Sequence, residues 1–397
     1  MLKKLVLVSL LNFLIAAIMG LLLRYSFLGD LPINYRYLTH AHSHVAMLGW
    51  VYLMLYTFYV YYFIPDKKPI YNRLFWLTEF AVIGMLLSFP FQGYAAISIT
   101  FSTLHILCSY YFVYLIWKHF KSDSIVTKLL VRASLLFMLV STLGVWCLGP
   151  AVSAFGKASA FYQIAIQFFL HFQFNGWFLI GVIAIFFHLL QIKNSKAFKH
   201  FYILLIISTI LTLALPVQWF TPHNSLFWIN AIGITLQMIA LILLFKLINP
   251  QLSKFFIKQS SLTRNLFLFA IACLVLKIVL QFTALLPEFS QVVYEHRNFV
   301  IGFIHLTMLG VISGFLFALI LQNNVVKFSK TMQFGVYLFI LGFLLTELLI
   351  ALQGYRYYIG EGIIAHYYLL LFLFSILLPL GISFLIINIK STTYETS

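Results

Sequence analysis

The sequence predicts an all-helical, polytopic membrane protein of about twelve transmembrane helices, arranged as a pseudo-threefold repeat of four-helix units. Three observations predict it. Hydrophobic residues make up 63% of the chain and charged residues 9%, with a mean hydropathy of +1.01, whereas soluble domains carry about a quarter charged residues. Apolar runs long enough to cross a bilayer follow one another along the whole chain. A pattern of His, four residues, Gly opens three of them, at His44 to Gly49, His171 to Gly176 and His305 to Gly310, each roughly a third of the 397-residue chain from the next. The whole chain, 1–397, reads as one integral membrane domain with approximate repeats 1–130, 131–264 and 265–390.

The spans follow in order from an apolar window: roughly 5–24, 40–64, 73–91, 97–117, 131–150, 161–190, 201–217, 225–246, 265–286, 298–322, 332–352 and 364–388. The first could be mistaken for a signal peptide, but it is long enough to span and carries no small-residue cleavage site. Lysine and arginine distribution tests the count. Only Arg24, Arg36, Lys157, Arg297 and Arg356 fall on one side and Lys277 inside a span, while the rest of the 25 basic residues, from Lys3 to Lys390, lie on the other. The positive-inside rule therefore places both termini in the cytoplasm, with an even number of spans between them, in a bacterial inner membrane. The net charge of +16 is spread over short loops, marks topology and gives no nucleic-acid surface.

Cys108, Cys147 and Cys273 lie in apolar runs without any CxxC or CxxCH pattern, which argues against disulfides, thiolate zinc sites and covalent haem. Any cofactor falls to histidine. Nine of the 12 histidines (His40, His42, His44, His105, His171, His223, His296, His305 and His366) fall in the outer half or outer loops, leaving His119, His188 and His200 near the cytoplasm. Imidazole at membrane depth needs a partner that lipid does not offer. On a helical wheel His40 and His44 share a face and His42 lies about 200° away, so one axial ligand from this helix, with the others at its frayed start, is the economical arrangement. Gly49, Gly176 and Gly310 offer bare surface to a second helix or a flat macrocycle.

With twelve spans, a threefold repeat and histidines opening the second, sixth and tenth spans, the chain resembles subunit I of the haem-copper oxidases, especially the nitric oxide reductase and C-type oxidase branches. His305-Leu306-Thr307-Met308-Leu309-Gly310-Val311 is similar to the reductase pattern His-Leu-Ala-Leu-Phe-Gly-Val. The resemblance implies a low-spin b-type haem with His44 and His305 as axial ligands, and a copper or non-haem iron taking His171, with His40 and His105 as further candidates. Where the reductases carry a glutamate four residues after the histidine of the sixth span, His171 here, this chain has Asn175. Where the family reads His-x-His in the tenth span, Phe303 stands two residues before His305, and the run 201–217 holds no adjacent histidines. The resemblance thus implies a haem protein without a complete binuclear centre. His40-Ala41-His42-Ser43 and the His305 stretch also resemble NnrS-type haem-copper membrane proteins, with Ser43 in the place of their glutamate; His42 is a further cofactor candidate.

Arg36 and Arg297 precede two proposed ligand spans by a few residues and suit bidentate contact with haem propionates. Arg356, among Tyr355, Tyr357 and Tyr358, suits an interfacial aromatic belt. Glu347 and Lys277 lie inside spans and are candidates for proton relay, as against an ordinary interhelical ion pair or a snorkelling chain; Glu79 likewise needs a partner. The function expected is electron transfer or oxygen or nitric oxide redox chemistry, with quinol or a separate respiratory subunit as donor. The alternatives are a metal or proton-coupled transporter, or a non-catalytic assembly partner of a respiratory complex.

Overall fold

A computed structural model describes residues 2–389; Lys390 lies outside them. Among the described residues, twelve helices are long and apolar enough to cross a membrane. Numbered α1 to α12, they are Leu2–Tyr25, Tyr35–Phe63, Pro69–Gln92, Ala96–His119, Ile125–Phe155, Ala160–Leu189, Lys196–Gln218, Asn224–Ile257, Ser261–Leu285, Arg297–Gln322, Lys330–Tyr358 and Tyr367–Ile387. The chain is an all-helical, multi-pass membrane protein. The described residues form no strand, only one antiparallel bridge between Val326 and Ile389.

The twelve expected spans are all present, and most run longer than the apolar windows. The reason is capping, which hydropathy does not register. The side chains of Ser124, Ser159, Ser195, Ser260 and Ser329 each accept a hydrogen bond from the backbone N–H three residues on, which supplies an orphan donor of the first turn. Asn34 does the same for Arg36 and Tyr37. It starts α2 at Tyr35, so His40 and His42 stand in a regular capped helix and not at a frayed end. Conversely, α7 is interrupted. It is helical to Leu211 and again from Ala214, because Pro216 has no N–H for the carbonyl four residues before it.

The chain divides into two compact units, Met1–Lys121 with Leu316–Ser397, and Ser122–Phe315. In the first, α1 packs on α2 through Phe13 and Trp50, whose rings stack at 4.5 Å, with Phe317 and Phe339 closing the cluster. In the second, Phe186, Phe255, Phe267 and Phe315 form a comparable cluster, and α5 and α9 pack on α6 and α10. Burial separates the histidine-bearing spans from the rest. In α2 and α10, 83% of the most apolar window is buried and in α6 72%, against 33–56% in the other nine. Lipid-facing helices need one apolar face only; these three are enclosed on nearly every side.

Small residues set the approach of neighbours. A methyl group at Gly144 would collide with the Ala165 carbonyl oxygen where α5 crosses α6. Gly149, one turn further along α5, has nothing within 4 Å of its missing Cβ. Gly144→Ala is therefore expected to lower stability by about 1–3 kcal/mol, as overpacking does. Gly149→Ala should stay within about 0.5 kcal/mol of the wild type. Thermal unfolding of the two detergent-solubilised variants checks the contrast.

Candidate functional site

Each repeated motif carries the same local structure. His44, His171 and His305 are the last α-helical residues before segments of π-helix at Val45–Tyr52, Phe172–Phe178 and Leu306–Ser313, after which α-helix resumes. Such segments are rare and gather at functional positions. The bonding step of a π-helix is five residues, which is the spacing from His to Gly in all three motifs. Within the third, Ser313 Oγ donates to the Met308 carbonyl, five residues back, at 2.8 Å. The bare faces of two of the glycines are filled by helix packing. A Cβ at Gly49 would lie 2.9 Å from Val82 and 3.0 Å from Asn12, and one at Gly176 would lie 2.5 Å from Phe137.

In the first unit His40 and His44 share one face and His42 takes the other. The His40 and His44 rings lie against Tyr94 at 4.7 and 5.8 Å, and His44 lies 4.4 Å from Phe89. His44 Nδ1 is 2.8 Å from the His40 carbonyl oxygen. A carbonyl can only accept, so Nδ1 carries the proton and the lone pair is on Nε2. That nitrogen meets the Tyr94 hydroxyl at 3.3 Å. His42 turns the opposite way, its Nδ1 donating to the Ala16 carbonyl of α1 at 2.8 Å. Gly20 makes room for that ring, since a Cβ there would lie 3.0 Å from His42 Cε1. His105 is buried on α4, edge-on to Tyr52 at 4.6 Å, and among the described residues its Nε2 has no hydrogen-bond partner.

In the second unit the break in α7 supplies the partner of His171. The Leu213 N–H bonds to Ile210 and not to Thr209, and the released Thr209 carbonyl accepts from His171 Nε2 at 2.7 Å. Nδ1 then faces the Asn175 amide nitrogen at 3.4 Å. Both ring nitrogens are thus engaged within the protein, one by the Thr209 carbonyl and one by the Asn175 amide. Lys277 is fully buried. Its Nζ reaches Gln281 Oε1 at 3.5 Å and lies 5.0 Å above the Phe303 ring, and no carboxylate among the described residues forms an ion pair with it. A lysine so placed relies on an amide and a ring face to offset its desolvation.

The remaining candidates are dispersed. Arg36 and Arg297 are exposed in the first turns of α2 and α10. Glu347 on α11 lies within electrostatic reach of Arg24 at the end of α1. Arg356 bonds to the Glu361 carbonyl at 2.9 Å, with its carboxylate at 3.6 Å. Among the described residues no three His, Cys, Asp or Glu side chains converge as metal ligands. The structure brings His40, His44 and Tyr94 together, and sets His42 and His171 on separate backbone carbonyls. Tyr94, Phe89 and Thr209 escape a reading by residue type, because their roles come from contacts distant in sequence. The π segments left one trace, the five-residue step of the motif.

Lys277→Met removes a buried amine whose insertion costs at least about 2.5–3.5 kcal/mol. It is expected to raise the thermal midpoint of the purified protein; a fall would show that Lys277 holds a partner worth more than its burial. No protein-family model and no curated protein matches the sequence.

Proposed function

We propose that this chain is a haem-binding membrane protein related to cytochrome oxidase subunit I. It carries electrons, or takes part in oxygen or nitric oxide redox chemistry, in a bacterial inner membrane with both termini cytoplasmic, and lacks a complete binuclear centre. One observation carries the reading. His44 stands at the head of a π segment with Nδ1–H committed to a backbone carbonyl, so that its Nε2 lone pair is presented in fixed orientation, facing the Tyr94 hydroxyl at 3.3 Å. Backbone hydrogen bonding of this kind is how ligating histidines are oriented and made basic. A b-type haem bound there would supply one-electron transfer. His44 would hold it through Nε2, and the family resemblance assigns His305 as a second residue that would hold it.

The chain's own residues favour electron transfer over catalysis at a second metal. His171 spends its ring nitrogens on Thr209 and Asn175, and Phe303, under the Lys277 amine, provides no ligand. Arg36 and Arg297 remain the candidates for propionate contact, and membrane quinol or a separate subunit the candidates for electron donor.

Reduced-minus-oxidised optical spectra of the full-length protein purified in detergent, with a pyridine haemochrome assay and metal analysis, test this reading. The expected result is a low-spin b-type spectrum, lost or converted to high-spin in His44→Ala and in His305→Ala and retained in His171→Ala. A colourless, metal-free protein from haem-replete cells overturns it, leaving a transporter built around buried Lys277 or an assembly role.

A further inference from the structure

The π segment after His44 is held from outside by two buried polar residues with no other assigned role. Asn12 on α1 and Glu79 on α3 are 3% and 5% exposed. The Asn12 side-chain nitrogen donates to the Gly49 carbonyl at 3.2 Å and to Glu79 Oε2 at 2.7 Å. An amide NH2 has two hydrogens, and this one serves an acceptor on each of two neighbouring helices.

Three features make this a bracket and not incidental packing. Gly49 lies five residues after His44, one π-helical step, so Asn12 anchors, through the carbonyl, the residue that ends the turn begun at the histidine. Close approach requires the glycine, since a Cβ would come within 3.0 Å of Asn12 Cβ and Cγ and 2.9 Å of Val82. Glu79 fixes which way the amide faces. An amide can present either oxygen or nitrogen, and two acceptors on one side admit only the nitrogen. A carboxyl group at membrane depth is costly, and among the described residues its side-chain hydrogen bond is with Asn12.

We propose that Asn12 and Glu79 are positioning residues for His44, fixing the π turn at Gly49 and through it the orientation of the imidazole. The link to a bound haem rests on the function proposed above; the bracket itself does not. Because α1, α2 and α3 all contribute, the orientation of the ring is set by three helices together. Glu79→Gln keeps an acceptor for the Asn12 amide, whereas Glu79→Leu and Asn12→Ala remove the bracket.

Hydrogen exchange of the full-length protein in detergent, followed in peptides covering 45–52 with 172–178 as internal control, separates these cases. Asn12→Ala and Glu79→Leu are expected to speed exchange over 45–52 by about tenfold or more, as loss of a buried hydrogen bond does, and to leave 172–178 unchanged. Glu79→Gln should stay close to wild type. In haem-loaded samples the low-spin electron paramagnetic resonance g-values should shift in the first two variants and be restored in the third. Unchanged exchange over 45–52 in Asn12→Ala overturns the proposal, as does a Glu79→Leu protein indistinguishable from Glu79→Gln. If a variant loses protection everywhere, Gly49→Ala makes the same test by displacing Asn12 without deleting a polar group, with the same two outcomes. A haem-free wild type would sink the haem assignment alone and leave the exchange result to decide the bracket.

Discussion

Inside a bilayer no water is present to accept or donate hydrogen bonds, so every departure from α-helix must be met by another group of the protein. The three π segments and the break in α7 are the largest such departures in this chain, and polar side chains stand against several of them. Asn12 meets the Gly49 carbonyl, Ser313 meets Met308, and His171 meets the Thr209 carbonyl that Leu213 leaves unpaired. α2, α6 and α10, which carry the π segments, are also the most enclosed spans. A widened helix facing lipid would leave carbonyls unsatisfied, whereas one surrounded by other helices can be stitched to them.

The same requirement shapes the histidines. A neutral imidazole has one donor and one acceptor, and where a backbone carbonyl takes the donor the acceptor is fixed in direction. His44 and His42 both commit Nδ1 to a carbonyl, one within its own helix and one across to α1. His171 commits Nε2 instead and turns Nδ1 to Asn175. Histidines that look equivalent in a repeated motif therefore present different atoms in different directions. His44 turns Nε2 to the Tyr94 hydroxyl at 3.3 Å, and His171 is satisfied by the protein on both sides. That difference, more than the number of histidines, is why the proposed function favours an electron-carrying haem over a second metal centre.

Charged groups within the spans sort themselves by partner. Glu347 has Arg24 within reach, Glu79 has the Asn12 amide, and Lys277 has an amide oxygen and an aromatic face. Lys277 lies beside Phe303, the residue that replaces a histidine expected by resemblance in the tenth span. The two are packed together in the structure, an amine over a ring, and neither is a ligand in that arrangement.

Hydropathy and the placement of lysine and arginine determined the number of helices from the sequence alone, because transfer of apolar side chains into lipid is a property of composition over a window of about 20 residues. The sequence also marked where the unusual structure lies, through a five-residue step from His to Gly whose meaning was not legible in it. Opposite faces for His42 and for His40 with His44 follow from helical periodicity alone. The tertiary structure decided the rest: the π segments, the early start of α2, the break in α7 that frees the Thr209 carbonyl, and the choice of ring nitrogen at each histidine. Each depends on a group distant in the chain or on a cap outside the apolar run, such as Asn12 for Gly49, Asn34 for α2 and the Thr209 carbonyl for His171. Long-range hydrogen bonds of this kind leave no periodic signature in the order of the residues.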